Sequence, residues 1–170
     1  MKISERGFCI VIKDLELNKI RGIVNYQFRQ NVGHTLFCDD VKIIHSKKTG
    51  RIRYVFLDGQ LIAILRPKNG MFSLTIFGAH KLLLVLEKPR ARVVIQDEIK
   101  GFILKGSNVF AKHVVAADKE IRVGEEAIVT DKEDKLMAIG KALMSGKEML
   151  AFNRGVAVKV RKGVMEEDED

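Results

Sequence analysis

The chain has 170 residues, of which 46% are hydrophobic and 31% charged, and its formal net charge is +8. That length can bury a core as one domain or two small ones, and no apolar run approaches the ~20 residues that cross a bilayer. The opening Met1-Lys2-Ile3-Ser4-Glu5-Arg6 carries an acid with no long apolar stretch behind it, which argues against a secretory signal.

Residues 1–12 read either as a strand or as the start of a buried helix. From Asp14 the pattern is helical: Leu15, Leu17, Ile20, Ile23, Val24 and Phe28 form one apolar stripe, and Gly33 is expected to close the helix. An all-strand section follows. Residues 41–45 and 52–57 are strand-like, joined by Ser46-Lys47-Lys48-Thr49-Gly50-Arg51. Asp58-Gly59 is a two-residue hairpin signal, and Asn69-Gly70 marks another turn, giving a meander of about four antiparallel strands. A short apolar helix over 78–86 would cover one face of that sheet. The charged segment Glu87-Lys88-Pro89-Arg90-Ala91 is the expected boundary, so residues 1–88 form an α+β domain.

Beyond it, a strand over 92–95 leads to a helical turn. Asp97 is placed to cap it, Ile99, Phe102 and Ile103 share a face, and Gly106 supplies a left-handed end. A β-type run over 109–115 follows. Helix end, glycine turn and strand start converge with Lys100, Lys105 and Lys112. Backbone N–H groups beside a glycine can approach phosphate closely, although an ordinary turn between helix and strand would look the same. Short strands over 121–130, 136–142 and 155–160, with glycines at their joints, suggest a partly closed barrel, and 164–170 reads as a disordered acidic tail.

Charge is unevenly placed. Residues 1–91 hold 16 Lys and Arg against 7 Asp and Glu, while residues 92–170 hold 14 against 15, five of those acids in the terminal Glu166-Glu167-Asp168-Glu169-Asp170. Both folded halves are therefore cationic, which favours a polyanion such as RNA; a lysine-rich solvated surface is the alternative. Cys9 and Cys38 lack CxxC spacing or neighbouring histidines, so no zinc site is expected and a reduced, cytoplasmic compartment is. His34, His45, His80 and His113 are scattered, and Asp131 to Asp134 is interleaved with lysine. Neither offers a converging acid–base set, so no catalytic residues, metal or cofactor are expected.

The segments Lys105-Gly106-Ser107-Asn108-Val109-Phe110-Ala111-Lys112, Gly124-Glu125-Glu126, Leu136-Met137-Ala138-Ile139-Gly140-Lys141-Ala142 and Arg154-Gly155-Val156-Ala157-Val158-Lys159-Val160 together resemble a PUA domain over 92–163. Gly146-Lys147-Glu148-Met149-Leu150 looks most like the version in archaeosine tRNA-guanine transglycosylases and archaeosine synthases. Asn25-Tyr26-Gln27-Phe28, the 46–53 hairpin and Leu65-Arg66-Pro67 are similar to the small domain preceding PUA in those enzymes. Asn25 stands where that family usually has an acid, and Arg29 where a glycine is usual. The family's catalytic barrel has no counterpart in the chain.

The resemblance implies an α+β fold, an antiparallel meander followed by a PUA-type β pseudo-barrel, and a non-catalytic module that grips the acceptor region of tRNA in archaeosine-type modification. A separate transglycosylase catalytic subunit is a possible partner, and no membrane is. A translation-related PUA protein acting at the small ribosomal subunit is the competing reading. The candidate contacts are Lys100, Lys105, Gly106, Asn108 and Lys112, extended by Arg154, Lys159, Arg161 and Lys162. The hairpin cations Lys47, Lys48 and Arg51 form a second group. Phe110 could stack on an unpaired base, with a core position favoured for it.

Overall fold

The computed structural model describes residues 5–165, with side chains from Lys13 onward. The chain divides into two compact units, Met1–Phe72 and Ser73–Asp170.

The first unit is built on α1 (Glu5–Phe28), so from Glu5 onward the chain takes the helical alternative and not the strand. Leu17, Ile20, Val24 and Phe28 are buried, whereas Leu15 is 64% exposed and falls outside the stripe. The helix ends earlier than the glycine suggested. Arg29 takes a left-handed φ of +53°, so the turn keeps the conformation that glycine would favour. Gly33 instead opens a second short helix, α2 (Gly33–Leu36). A Cβ there would lie 2.6 Å from the Arg21 carbonyl oxygen, so close packing against α1 is what requires glycine. Asn25 does the work expected of an acid: its Oδ1 accepts from the amides of Val32 and Gly33 at 2.9 and 2.6 Å.

The meander follows as β1 (Lys42–His45), β2 (Ile52–Leu57), β3 (Gln60–Leu65) and β4 (Phe72–Leu74), in sequential order. Asp58 and Gly59 both have positive φ, +51° and +78°, as a primed hairpin turn demands. Buried Gln27 holds the end of this unit to α1: its amide donates to the Phe72 carbonyl at 2.9 Å and accepts from the Phe72 N–H at 2.8 Å. The rings of Phe37 and Phe72 meet at 5.2 Å between centroids.

The second unit starts at Ser73, within β4, and its first helix is α3 (Ile76–Leu83), whose first turn is capped by Thr75. This helix belongs to the second unit and packs there on β9 (Leu136–Ala142). The remaining elements are β5 (Arg92–Ile95), α4 (Lys100–Leu104), β6 (Val109–Phe110), β7 (Val114–Ala117), β8 (Glu126–Thr130), α5 (Gly146–Ala151) and β10 (Val156–Gly163). Their sheet order is β6-β10-β9-β8-β5-β7, with β5 parallel to β8. β6 and β7 stand at opposite ends of that order yet are separated only by a 3-10 turn, Ala111–His113. The sheet therefore curls into a nearly closed barrel. The turn also breaks what reads in sequence as one strand, because the chain must leave one end of the sheet and enter the other. Val93, Ile95, Ile103, Val109, Val129, Met137, Met149 and Val158 fill the interior.

Helix α5 has no apolar period to announce it, but Ser145 and Glu148 form a complete capping box at its start. After β10, Val164 and Met165 donate to the carbonyls of Met137 and Leu104 at 3.0 and 2.9 Å. The acidic run 166–170, with its expected disorder, lies outside the described residues. Among the described residues no helix is long and apolar enough to cross a membrane.

Candidate nucleic-acid interface

Residues 105–112 lie along β10 at the edge of the barrel sheet. Val109 pairs with Val158 and Phe110 with Val156. Asn108 Oδ1 accepts the Val160 N–H at 3.0 Å, and the Ala111 N–H donates to Gly155 at 3.0 Å. Gly106 is left-handed, φ +89°. Its turn is pressed onto the end of β10, since a Cβ on Gly163 would lie 2.2 Å from the Leu104 carbonyl oxygen and 2.6 Å from the Gly106 nitrogen.

This geometry corrects the backbone half of the expected phosphate cradle. The Gly106 and Ser107 amides donate to Ile103 and Phe102 at 3.0 and 3.1 Å, so they close the helix and are not available to a ligand. Asn108 likewise spends its side-chain oxygen on β10. What the turn presents is side chains. Lys105 and Lys112 are exposed, as are Arg154 and Lys159. Phe110 is 45% exposed rather than a core residue, and Phe102, expected on the buried face of its helix, is 66% exposed. Lys162 is half-buried.

Two expected contacts have their charges engaged elsewhere. Lys100 Nζ sits among Asp97 at 2.8 Å, Asp131 at 3.0 Å and Glu133 at 3.3 Å. Asp97 does not cap the helix; its carboxylate binds Lys100, and Lys132 at 2.9 Å. Arg161 donates to the buried carboxylate of Glu126 and, at 2.8 Å, to the Leu74 carbonyl. A residue not among the expected contacts joins the group: Lys141 on β9 stands directly opposite Lys159 on β10. Like charges in that register repel, a cost that an anion laid across them would relieve. Among the described residues, Lys105, Lys112, Lys141, Arg154 and Lys159 have no carboxylate partner.

The acidic cluster sets the pH response. Hydrogen bonds from Lys100 and then Lys132 hold the Asp97 carboxyl below the usual carboxylate range. At Asp131 burial pushes upward, but hydrogen bonds from the Lys135 amide and Lys100 outweigh it. At Asp134 burial is likewise outweighed by Arg92 and Lys88. Lys100 is pushed above its usual range by Asp97 and Asp131. Depressed carboxyls stabilise the fold above their unfolded pKa, about 4, and that stability is lost as pH falls through the folded values. Lys100 stays charged throughout the neutral and acid range, so these pairs are lost in acid through their carboxyls alone. The urea midpoint should therefore be level from pH 7 to 5 and drop steadily below about pH 4. A midpoint unchanged at pH 3 would contradict these assignments.

In the first unit, Lys47, Lys48 and Arg51 are exposed at the β1–β2 turn. Beside that turn lies a cleft of about 730 Å³, walled by α1, by residues of the β1–β2 connection and by the β3–β4 turn. Lys19, Arg53 and Arg66 join Arg51 on its lining. Arg51 and Arg53 belong to one basic hairpin in the sequence, but nothing there joins them to Lys19 or Arg66, which come from other elements. His45, on the same lining, meets Glu16 at 2.6 Å. Among the described residues no group of three His, Cys, Asp or Glu is placed to hold a metal ion.

Comparison with known proteins places two domains on this chain. Residues 18–89 match the patch-forming domain C2 of tRNA-guanine transglycosylase, and residues 91–164 match the PUA domain. The tRNA-guanine(15) transglycosylase of Methanothermobacter thermautotrophicus is 38% identical over 148 residues, which are 87% of this chain and 23% of that protein. The enzyme of the same name from Pyrococcus abyssi is 43% identical over 145 residues, 85% of this chain and 24% of that one. The chain thus spans about a quarter of the length of the curated relatives it matches, in their C-terminal part. A hypothetical protein of Pyrococcus horikoshii OT3 superposes with a TM-score of 0.72 at 27% identity, covering 90% of this chain and 92% of that one. A conserved PUA domain protein from Thermoplasma acidophilum shares the fold, with a TM-score of 0.64 at 19% identity over 91% and 92% of the two chains.

Proposed function

The chain belongs to the proteins that join a C2 domain of the tRNA-guanine transglycosylase type to a PUA domain, and we propose that it is a non-catalytic RNA-binding protein whose preferred ligand is tRNA. It engages the acceptor region and serves as a recognition module in modification of the archaeosine type, with a transglycosylase catalytic subunit as its partner. One observation carries the reading: Lys105, Lys112, Lys141, Arg154 and Lys159 lie along and beside the β6–β10 edge without carboxylate partners among the described residues. Exposed Phe110 is on the same edge. Cations so placed neutralise phosphates and release counterions, and an aromatic face beside them can stack on a base at an unpaired 3′ end. The activities named for the full-length relatives belong to proteins about four times longer, so the proposal extends to binding and not to base exchange.

The test is a titration of the intact chain against a tRNA transcript. Lys105→Glu combined with Lys112→Glu should weaken binding by about tenfold or more at moderate salt, with an unchanged urea midpoint. Removing the unpaired 3′ nucleotides of the transcript should weaken the native chain and have less effect on Phe110→Ala. Equal affinity in the double variant would overturn the reading. Cosedimentation with small ribosomal subunits, without affinity for free tRNA, would replace it by the translation-related one.

A further inference from the structure

We infer that the cleft of the first unit is a pocket for a single unpaired nucleotide of the bound RNA, an inference that rests on the RNA-binding reading above. Its volume, about 730 Å³, falls within the range of small-ligand sites, roughly 300–1,000 Å³. Lys19 of α1, Arg51 of the β1–β2 connection, Arg53 of β2 and Arg66 of the β3–β4 turn line it. None of the four has a carboxylate partner among the described residues. The acid on the wall, Glu16, is taken up by His45.

Two of the cations are held in place before any ligand arrives. Arg53 donates to the Leu65 carbonyl at 3.3 Å and stacks over Tyr54 with its guanidinium carbon 5.8 Å from the ring centre. Arg66 donates to the Met71 carbonyl at 3.5 Å. Guanidinium groups fixed this way suit the two-oxygen geometry of a phosphate.

Besides these cations and Ser46 and Thr49, the lining carries an apolar wall, and that wall separates an unpaired nucleotide from a duplex. Leu15 is 64% exposed, whereas Leu17, Ile20, Val24 and Phe28 of the same helix are buried, and Ile23, Leu65 and Pro67 continue its surface. A double helix would offer this cleft only phosphates and leave the apolar wall in water. An unpaired nucleotide offers phosphate to the cations and a base face to the wall.

The experiment measures binding of the intact chain to a single-stranded RNA decamer and to the same sequence as a blunt duplex. Lys19→Glu with Arg51→Glu should weaken the single strand at least tenfold and the duplex less than threefold. Leu15→Ser, an exposed change that spares the core, should weaken the single strand about threefold and leave the duplex unchanged. Equal losses on both RNAs, or none on either, would overturn the inference. So would displacement of the decamer by an acidic peptide of equal charge at equal concentration, which would point to a protein ligand. The Lys105→Glu, Lys112→Glu chain separates the two claims. If it loses tRNA binding while the cleft variants bind the decamer normally, the pocket fails and the RNA-binding reading stands. If the native chain binds no RNA, both fail.

Discussion

Arg92→Met should lower the unfolding free energy by about 3–5 kcal/mol, the usual cost of removing one member of a buried ion pair. The Arg92 side chain is 3% exposed, and every one of its N–H directions is used. Two go to Asp134, at 2.6 and 3.1 Å. The others go to the carbonyls of Leu83, Glu87 and Arg90, at 3.2–3.3 Å. Those carbonyls belong to the last residue of α3 and the segment after it, so one guanidinium ties that segment to β5 and to the turn between β8 and β9. Methionine fills similar space and satisfies none of these acceptors, and an unmade hydrogen bond to a buried group costs about 1–3 kcal/mol. Urea denaturation of the full chain measures it. A loss below about 1 kcal/mol would mean that water reaches all three carbonyls.

Glu126→Ala should be the second most damaging change, at about 2–4 kcal/mol. Its carboxylate is wholly buried. It accepts from the Leu74 amide at 3.0 Å as well as from Arg161. Without it the Leu74 N–H loses its partner, while Arg161, 38% exposed, can turn to solvent. The two readouts should therefore diverge. Stability falls, whereas affinity for tRNA is kept or rises because a cation has been released. Reduced affinity in a chain shown to be folded would mean that the paired Arg161 is itself part of the interface.

Local chemistry explains what was legible in the sequence. Asp58-Gly59 and Asn69-Gly70 encode turns within two residues, and the meander follows from them. The alternation in β10 and the apolar stripe of α1 are likewise short-range signals. Legibility ended where tertiary contact decides. Gly33 looks like a helix terminator, yet its constraint is a carbonyl on Arg21, twelve residues earlier in α1. Phe110 carries the composition of a core residue, but the register with Val156 leaves it half in water. Lys100 and Arg161 resemble Lys105 and Lys159 in sequence. They differ only in meeting Asp131 and Glu126, the latter 35 residues away from Arg161, and no period reports such a meeting. The cleft in the first unit was invisible for the same reason. The family resemblance marked both domains, but which cations remain free was a question for the fold.

The most direct measurement is the salt dependence of tRNA binding by the native chain and by the Lys105→Glu, Lys112→Glu chain. Cationic contacts to phosphate predict that log K falls linearly with log salt, and that the slope becomes shallower by about two in the variant. A flat dependence in the native chain, or identical slopes in the two, would contradict an interface made by these side chains.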